Sequence, residues 1–366
     1  MGHQLSTTTR ASSRTCHIPS PSDEISDEEL QNLIINATEE DCIGKMPELD
    51  ILGSPQVYRL SPHALVAKYI ATDPSNEVYT MQLVQQHTTV PVPQVRRVLP
   101  DRTQGKGFWL VMDYIDGECL LAIWSKLGWW RRLQVICALR SHIRQLQQIP
   151  LPSKNVPGPF DGTGRPLSCL GGHFHDGAGP FSTYAAMAAW HDEQNYRYQV
   201  VLNISSGGTY FWPYSKFDTS APLVLCHFDL HMRNIMLDKT NRVWLIDWAY
   251  AGAYPFWFEY VPFGFWANAA SPARRTPRSF VRFLDFIIGG CASWYFNNYI
   301  TKLDSRPMGF RHFDIDSDHF IKQSIDPKLY QPVDVARPSH CRIMAQKCLD
   351  LFYDTLMGVR ALFVVD

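Results

Sequence analysis

The stretch from Leu223 to Asp247 restricts the possible folds of this chain more than any other part of it. Leu223-Val224-Leu225-Cys226 is a short apolar run that reads as a buried strand. Ile235-Met236-Leu237 and Val243-Trp244-Leu245-Ile246 flank Lys239-Thr240-Asn241-Arg242 and read as a hairpin. Between the strand and the hairpin lies a polar loop, His227-Phe228-Asp229-Leu230-His231-Met232-Arg233-Asn234. Asp247 closes the second hairpin strand, thirteen positions after Asn234. Pairing the two strands brings Asn234 and Asp247 together at the hairpin base. One amide oxygen and one carboxylate there form a hard-oxygen site suited to Mg2+, with phosphate oxygens and water filling the remaining positions. Asp229 stands on the loop just before, within approach of an acceptor hydroxyl.

Upstream, the pattern is that of a second, strand-rich region. Ser26-Asp27-Glu28-Glu29 reads as a capping box opening a short helix, with Leu30, Leu33 and Ile34 on one face. Val57 to Leu60 reads as a strand, Ser61-Pro62 as a turn, and Ala64 to Tyr69 as another strand. Asp73 is expected to cap a helix with Pro74 in its first turn, running to about Gln86. Lys68 sits in the apolar segment Leu65-Val66-Ala67-Lys68 and can point inward. Glu77 shares a helix face with Met81 and Val84. A carboxylate on an apolar face needs a partner, and Lys68 is the one expected.

Phe108 to Met112 reads as a buried strand, and Asp113 to Glu118 as a linker. Beyond it, Leu133, Ile136, Arg140, Ile143 and Leu146 recur at helical spacing, with the Arg140 stem at the edge of that face. Residues 150–180, rich in Pro and Gly, read as a long loop. Ser182 is placed as the cap of a helix to about Leu202, and the chain from Arg278 onward as mostly helical. The expected organisation is a tail over 1–25, a strand-rich lobe over 26–113, and a helical lobe over 114–366. That second lobe carries the loop 227–234 and Asp247. The fold class is α+β and bilobal, with an antiparallel sheet first and a mostly helical lobe with a small hairpin second.

Composition excludes several functions. The net charge is -1 and the pI about 6.9, so no basic field draws in nucleic acid. No apolar run is long enough for a membrane span. The nine cysteines are odd in number, scattered, and without a C-x-x-C pair. They indicate neither a disulfide framework nor a zinc site, and point to a reducing, cytoplasmic setting. Met1-Gly2 with Ser6 also fits an N-myristoylation pattern, an alternative for the Ser/Thr-rich first segment. His173-Phe174-His175-Asp176 lacks further clustered ligands, so its histidines are expected at the surface rather than on a metal. The aromatic run Tyr254 to Trp266 fits either an acceptor pocket or a buried helix junction.

His227 to Asn234 matches the kinase catalytic loop H-x-D-L-x-x-x-N, followed by an aspartate. With Ile246-Asp247-Trp248, Ala251-Gly252, Val90-Pro91-Val92-Pro93, Val111 to Glu118 and Gly179-Pro180-Phe181, the chain resembles the aminoglycoside phosphotransferase-like family, especially its fungal branch. The resemblance runs from about residue 48 to about residue 265. It implies ATP-dependent transfer of a phosphoryl group to the hydroxyl of a small molecule. It implies Asp229 as catalytic carboxylate, and Asn234 and Asp247 as magnesium ligands; His227 is grouped with Asp229 and is expected to brace the catalytic loop. Lys68 would hold phosphates, Glu77 would position Lys68, and the backbone of Met112, Asp113 and Tyr114 would face adenine.

Three positions depart from the family pattern. Phe228 stands where glycine is usual, Ala249 where Glu or Gly is common, and Met232 where proline is frequent. No G-x-G-x-x-G loop occurs, leaving Gly53-Ser54 as the candidate phosphate-covering turn. A bulky residue beside Asp229 would reshape the acceptor site if its ring faced the cleft. Adjacent loop side chains face opposite sides, so the Phe228 ring is expected in the core. The competing function is a catalytically weak, pseudokinase-like protein that binds a nucleotide or ligand without turnover, and a protein kinase is the third.

Overall fold

Strand alternation builds the first sheet. A computed structural model describes residues 20–43, 57–102, 105–205, 216–267 and 275–300. Strands β1 (Val57–Leu60), β2 (Leu65–Ile70), β3 (Val95–Pro100) and β4 (Phe108–Asp113) form an antiparallel sheet in the order β1-β2-β4-β3. In β2, Leu65 and Ala67 face one side, and in β4 Trp109 and Val111 join them. Helix α1 (Asp27–Ile35) covers that side with Leu30 and Ile34. The Ser26 hydroxyl caps it by accepting the Glu29 N–H at 3.2 Å, as the capping-box reading requires. Val66, Leu110 and Met112 face the other side, packed with Met81 and Val84 of α2 (Ser75–His87). Two covered faces explain why β2 is apolar almost throughout instead of alternating. Period two also puts Lys68 on the side of Val66, toward α2.

The segment read as a linker contains a strand. Gly117–Cys119 (β5) pairs with β9 (Ile235–Asp238), which pairs with β10 (Val243–Leu245). The short polar stretch carries no strand signal of its own; the hairpin edge supplies its partner. The α3 turn (Leu120–Ile123) then leads to α4 (Trp129–Leu146). Arg140 is not at the edge of the α4 core face. It is buried, and its guanidinium lies 4.6 Å from the Phe286 ring and donates to the Phe286 carbonyl.

The Pro/Gly-rich region is also more ordered than its composition suggests. Cys169–Gly171 (β6) and Phe174–Ala178 (β7) form a hairpin turned by Gly172 and His173. Gly171 and Gly172 have φ of 77° and 51°, which glycine adopts without strain. The following helix α5 (Tyr184–Ser205) starts one residue later than expected. Thr183, not Ser182, accepts the Ala186 N–H at 3.1 Å. Likewise, Pro74 rather than Asp73 occupies the cap position of α2, while the Asp73 carboxylate accepts the Ser75 N–H at 2.9 Å.

β8 (Leu223–Cys226) pairs with β11 (Gly252–Pro255). The aromatic run beyond it forms the buried junction of the two readings offered. Trp257, Phe258 and Phe263 are fully buried where β11 passes through a 3-10 turn into α6 (Tyr260–Ala267). The short helices α7 (Arg278–Val281), α8 (Leu284–Ile288) and α9 (Ala292–Tyr295), with a π-helical turn over Phe296–Ile300, complete the described chain. This is the expected α+β architecture, an antiparallel sheet followed by a mostly helical part with a small hairpin. Among the described residues no helix is long and apolar enough to cross a membrane. The six described cysteines are free thiols.

His173, expected at the surface, is buried. Its Nε2 lies 2.8 Å from Nε2 of His191, whose Nδ1 bonds the Met187 carbonyl. Burial pushes His191 down to about 3 and His142 down to about 4. Both values lie below the ordinary histidine range, so the folded state binds fewer protons than the unfolded chain as pH falls. The stability these neutral rings contribute is complete above about pH 6.5 and is lost progressively toward pH 4 and below. Denaturant midpoints measured from pH 7.5 to 4.5 are expected to fall over the lower half of that range. Because the raised carboxyls of Asp229 and Glu259 work in the opposite direction, the comparison is with His142→Phe, which should flatten the profile; an unchanged slope in that variant would contradict the buried, neutral assignment.

Candidate active site

Three charged side chains meet where the sheet and the hairpin base face each other. The Lys68 ammonium donates to both Glu77 carboxylate oxygens, at 2.8 and 2.9 Å, and to Oδ1 of Asp247 at 2.8 Å. Lys68 and Glu77 are buried, at 7% and 3% exposure. Burial works against the ammonium, but the Asp247 and Glu77 charges more than offset it, and the Lys68 pKa is raised. Burial would likewise raise Asp247, and the adjacent Lys68 charge overrides it and holds the carboxyl low. Glu77 also holds backbone, since its Oε1 accepts the Trp248 N–H at 3.3 Å. Asn76, next to it on α2, donates to the Ala249 carbonyl and accepts the Phe160 N–H. One turn of α2 therefore grips the backbone on the far side of Asp247.

The loop from His227 to Asn234 is held from within. His227 is fully buried, its ring tilted against Trp248 with centroids 4.4 Å apart. Its Nε2 donates to the Ile246 carbonyl at 3.0 Å, and its Nδ1 accepts the Asp229 N–H at 3.3 Å. Both ring nitrogens are engaged within the chain, so His227 braces the loop and offers no nitrogen to a substrate. Burial pushes its pKa down to about 4 and keeps the ring neutral. The Asn234 amide donates to the Asp229 carbonyl at 2.9 Å and to its carboxylate at 3.0 Å. The Asn234 backbone carbonyl accepts the Ile246 N–H at 3.0 Å, which fixes the hairpin base. Asn234 and Asp229 are thus in direct contact. Burial, and then the Asp247 charge, push the Asp229 carboxyl up to about 8.

Phe228 and Asp247 both adopt left-handed backbone, with φ of 61° and 66°. That region is sparse for non-glycine residues and unusual for a bulky one. It explains why glycine is the usual occupant of position 228. The Phe228 ring faces away from Asp229 into the core, at 0% exposure. It lies 4.6 Å from Tyr254 and 5.4 Å from Phe258. A Cβ on Gly172 would come within 2.6 Å of that ring, so glycine in the β6–β7 turn makes the space it fills. The cleft side of Asp229 is not occupied by the ring.

Sequence reasoning did not single out Glu259. It is buried at 1% exposure and accepts the His227 N–H at 2.5 Å and the Phe228 N–H at 3.3 Å. Burial pushes its carboxyl up to about 7. The signal is nevertheless there: a lone carboxylate in an aromatic run must have buried donors waiting for it.

The N–H groups of Asp113 and Tyr114 are taken by the Gln94 and Ala64 carbonyls, at 3.0 and 2.9 Å. The Asp113 carboxylate is paired to Arg96, at 2.7 and 2.8 Å. A base against Met112 to Tyr114 would have to use other groups of this segment. Gly53-Ser54 lies outside the described residues, as does Gly2. Among the described residues, no group of three or more His, Cys, Asp or Glu is placed to hold a metal.

Residues 57–280, more than half of the chain, match the model of the phosphotransferase enzyme family. The chain belongs to that family. It is a kinase-type enzyme, and the match spans the sheet, the loop and the hairpin just described. No curated protein matches this phosphotransferase in sequence. Among solved structures it is similar to a thermostable mutant of aminoglycoside phosphotransferase APH(4)-Ia, at 13% identity and a TM-score of 0.45, over 68% of this chain and 79% of that one. It is also similar to an aminoglycoside-3'-phosphotransferase of type VIII, at 17% identity and a TM-score of 0.40, over 69% and 87%. Likenesses this distant carry nothing about the acceptor of this phosphotransferase.

Replacing Phe228 by glycine separates two effects in the loop. Removing a buried phenyl ring costs about 3–5 kcal/mol. Relieving left-handed backbone returns about 1–2 kcal/mol. Phe228→Gly is therefore expected to lower unfolding stability despite restoring the residue common in the family. A denaturant titration of both proteins measures it, and a gain in stability would mean that the backbone term dominates.

Proposed function

We propose that this phosphotransferase moves the γ-phosphoryl group of ATP to a hydroxyl of a small-molecule acceptor, with Asp229 as its catalytic carboxylate. The observation that carries this reading is the convergence of Glu77 and Asp247 on the Lys68 ammonium, each within 2.9 Å, beside the Asp229–Asn234 pair. A structural ion pair needs one carboxylate for one ammonium. Here two carboxylates share Lys68, and a third, Asp229, is close enough to feel the charge of Asp247. Such a cluster is one cation short of balance, which supports a site that receives a metal ion.

The donor set fits magnesium. Asp247 and Asn234 supply hard oxygens, and two protein ligands leave room for phosphate oxygens and water, as magnesium sites with nucleotides require. When bound, the ion would neutralise charge developing on the transferred phosphoryl group. Asn234 would offer its amide oxygen while its N–H₂ steadies Asp229. Lys68, held by Glu77, would direct its ammonium to nucleotide phosphates. Asp229 would accept a hydrogen bond from the acceptor hydroxyl, orient that oxygen toward the γ-phosphorus, and take its proton as the new P–O bond forms and ADP departs. A bound cation, added to the Lys68 and Arg233 charges that already oppose burial, would favour the ionised carboxylate that takes this proton. The burial of the Phe228 ring away from the cleft removes the main reason for preferring a binding protein without turnover.

Turnover of ATP by the pure protein against a panel of hydroxylated metabolites tests the reading. Asp229→Ala is expected to lower phosphoryl transfer by ~10²–10⁴-fold while nucleotide binding survives. Undiminished turnover in that variant would remove Asp229 from its role. Asp247→Asn is expected to weaken ATP binding more in the presence of magnesium than in its absence, because an anionic oxygen ligand is lost. Equal losses with and without the metal would contradict the assignment of Asp247.

A further inference from the structure

At the tip of the β9–β10 hairpin, the end opposite Asn234 and Asp247, lies an open cavity of about 310 Å³. One face of α4 lines it with Arg131, Gln134, Ala138 and His142; the hairpin turn contributes Arg242 and the loop after α2 contributes Thr89. The volume is at the lower end of the range for small-molecule sites.

The lining of this cavity is net cationic. It contains two arginines and no aspartate or glutamate. Among the described residues, neither Arg131 nor Arg242 forms an ion pair. Arg131 donates to Gln134 Oε1 at 2.8 Å and to the Asn241 carbonyl at 2.7 Å, both neutral acceptors, and its buried Nε has no partner. Arg242 lies over the Trp244 ring at 5.2 Å. The nearby carboxylate, Asp238, attracts Arg131 through space but is held in its own turn and makes no ion pair with it. It accepts from the Thr240 and Arg242 N–H groups, the Thr240 hydroxyl and the Trp244 indole. His142 donates Nε2–H to the Val243 carbonyl and is neutral. A partly desolvated guanidinium fixed by neutral acceptors keeps its charge for an anion, and its fork geometry suits a phosphate.

We propose that this cavity is a second ligand site of the phosphotransferase, separate from the nucleotide cleft, and that it takes a small phosphorylated metabolite. Arg131 and Arg242 bind the phosphate, and Thr89 and Gln134 lie within the same wall for its polar remainder. The position gives such a ligand a route to the active site. The Pro91 carbonyl, in the same loop as Thr89, accepts the Leu245 N–H at 3.0 Å, two residues before Asp247. The inference does not depend on the roles proposed for Asp229 or the metal.

The probe is glycerol 2-phosphate, titrated calorimetrically into the full chain saturated with AMP-PNP and magnesium, so that the nucleotide site is filled. One saturable site is expected. The double variant Arg131→Gln, Arg242→Gln should weaken it by about tenfold or more, with AMP-PNP affinity unchanged. Arg132→Gln, on the same helix but outside the cavity, should leave it intact. Ala138→Leu, which fills the cavity and keeps both arginines, should weaken it as well and decides the matter if the double variant does not fold. Equal binding by the wild type and Ala138→Leu would overturn the proposal. So would the absence of saturable binding by the wild type up to about 10 mM, below any useful affinity.

Discussion

The Lys68 ammonium is the charge on which the rest of the site depends. It lies within an apolar strand, only 7% exposed, and would be costly there alone. Glu77 and Asp247 make it tolerable, and each comes from a different part of the chain. Glu77 requires α2 to pack with Met81 and Val84 inward. Asp247 requires the β9–β10 hairpin to close at the height of the sheet. A one-residue slip of β2 against β4 would turn Lys68 to the opposite face, beneath α1 and away from Glu77 and Asp247. The ion cluster thus ties sheet register, helix orientation and hairpin position to one another. Removing Lys68 leaves two buried carboxylates without their counter-charge, which costs about 3–5 kcal/mol in comparable pairs, whereas removing either carboxylate leaves a one-to-one pair.

The nearby hydrogen bonds extend the same constraint along the backbone. Glu77 accepts from Trp248, Asn76 donates to Ala249, and His227 donates to Ile246. Asp247 is therefore clamped on both flanks as well as at its carboxylate. Its left-handed φ is held by these contacts and not by local preference, although aspartate tolerates that region better than most residues. The chemistry at this point does not rely on a flexible loop to find its geometry. Buried hydrogen bonds set the loop in place before any ligand arrives.

Much of this was legible in the sequence, for definable reasons. Leu223–Cys226, the hairpin and Phe108–Asp113 are short apolar or alternating runs bounded by turn residues, and the strands fall where those runs lie. The Lys68–Glu77 pair was legible because a carboxylate on an apolar helix face needs a cation, and one lay within reach. What escaped reading was structure created by partners. Gly117–Cys119 is a strand only because β9 offers an edge, and the 169–178 hairpin hides in a Pro/Gly-rich composition that usually marks loops. Arg140 and His173 read as edge or surface residues because charge and polarity point outward by default. Their burial is set by Phe286 and His191, residues 146 and 18 positions away. The engagement of the Asp113 and Tyr114 N–H groups follows from sheet register, which periodicity alone does not fix. The cation-rich cavity at the hairpin tip draws its arginines from two elements more than a hundred residues apart, and no local pattern joins them.

Phe228 shows how a rule broken locally is compensated by packing. A left-handed backbone costs a non-glycine residue about 1–2 kcal/mol. Full burial of a phenyl ring contributes about 1.5–3 kcal/mol. The two terms are close enough that the substitution is sustained only if the ring finds a well-packed site. It does so against Tyr254 and Phe258, under a hairpin turn where Gly172 leaves room. Glu259 supplies the remaining constraint by accepting the N–H groups of His227 and Phe228 together. An extended backbone at 228 would pull at least one of those donors away from the buried carboxylate beside them. The conformation that aims the ring inward is therefore the one that satisfies both donors, and it leaves Asp229 on the opposite, open side. Core packing and acceptor access are set by the same peptide units. A residue that departs from the family pattern can sit beside the catalytic carboxylate without entering its cleft.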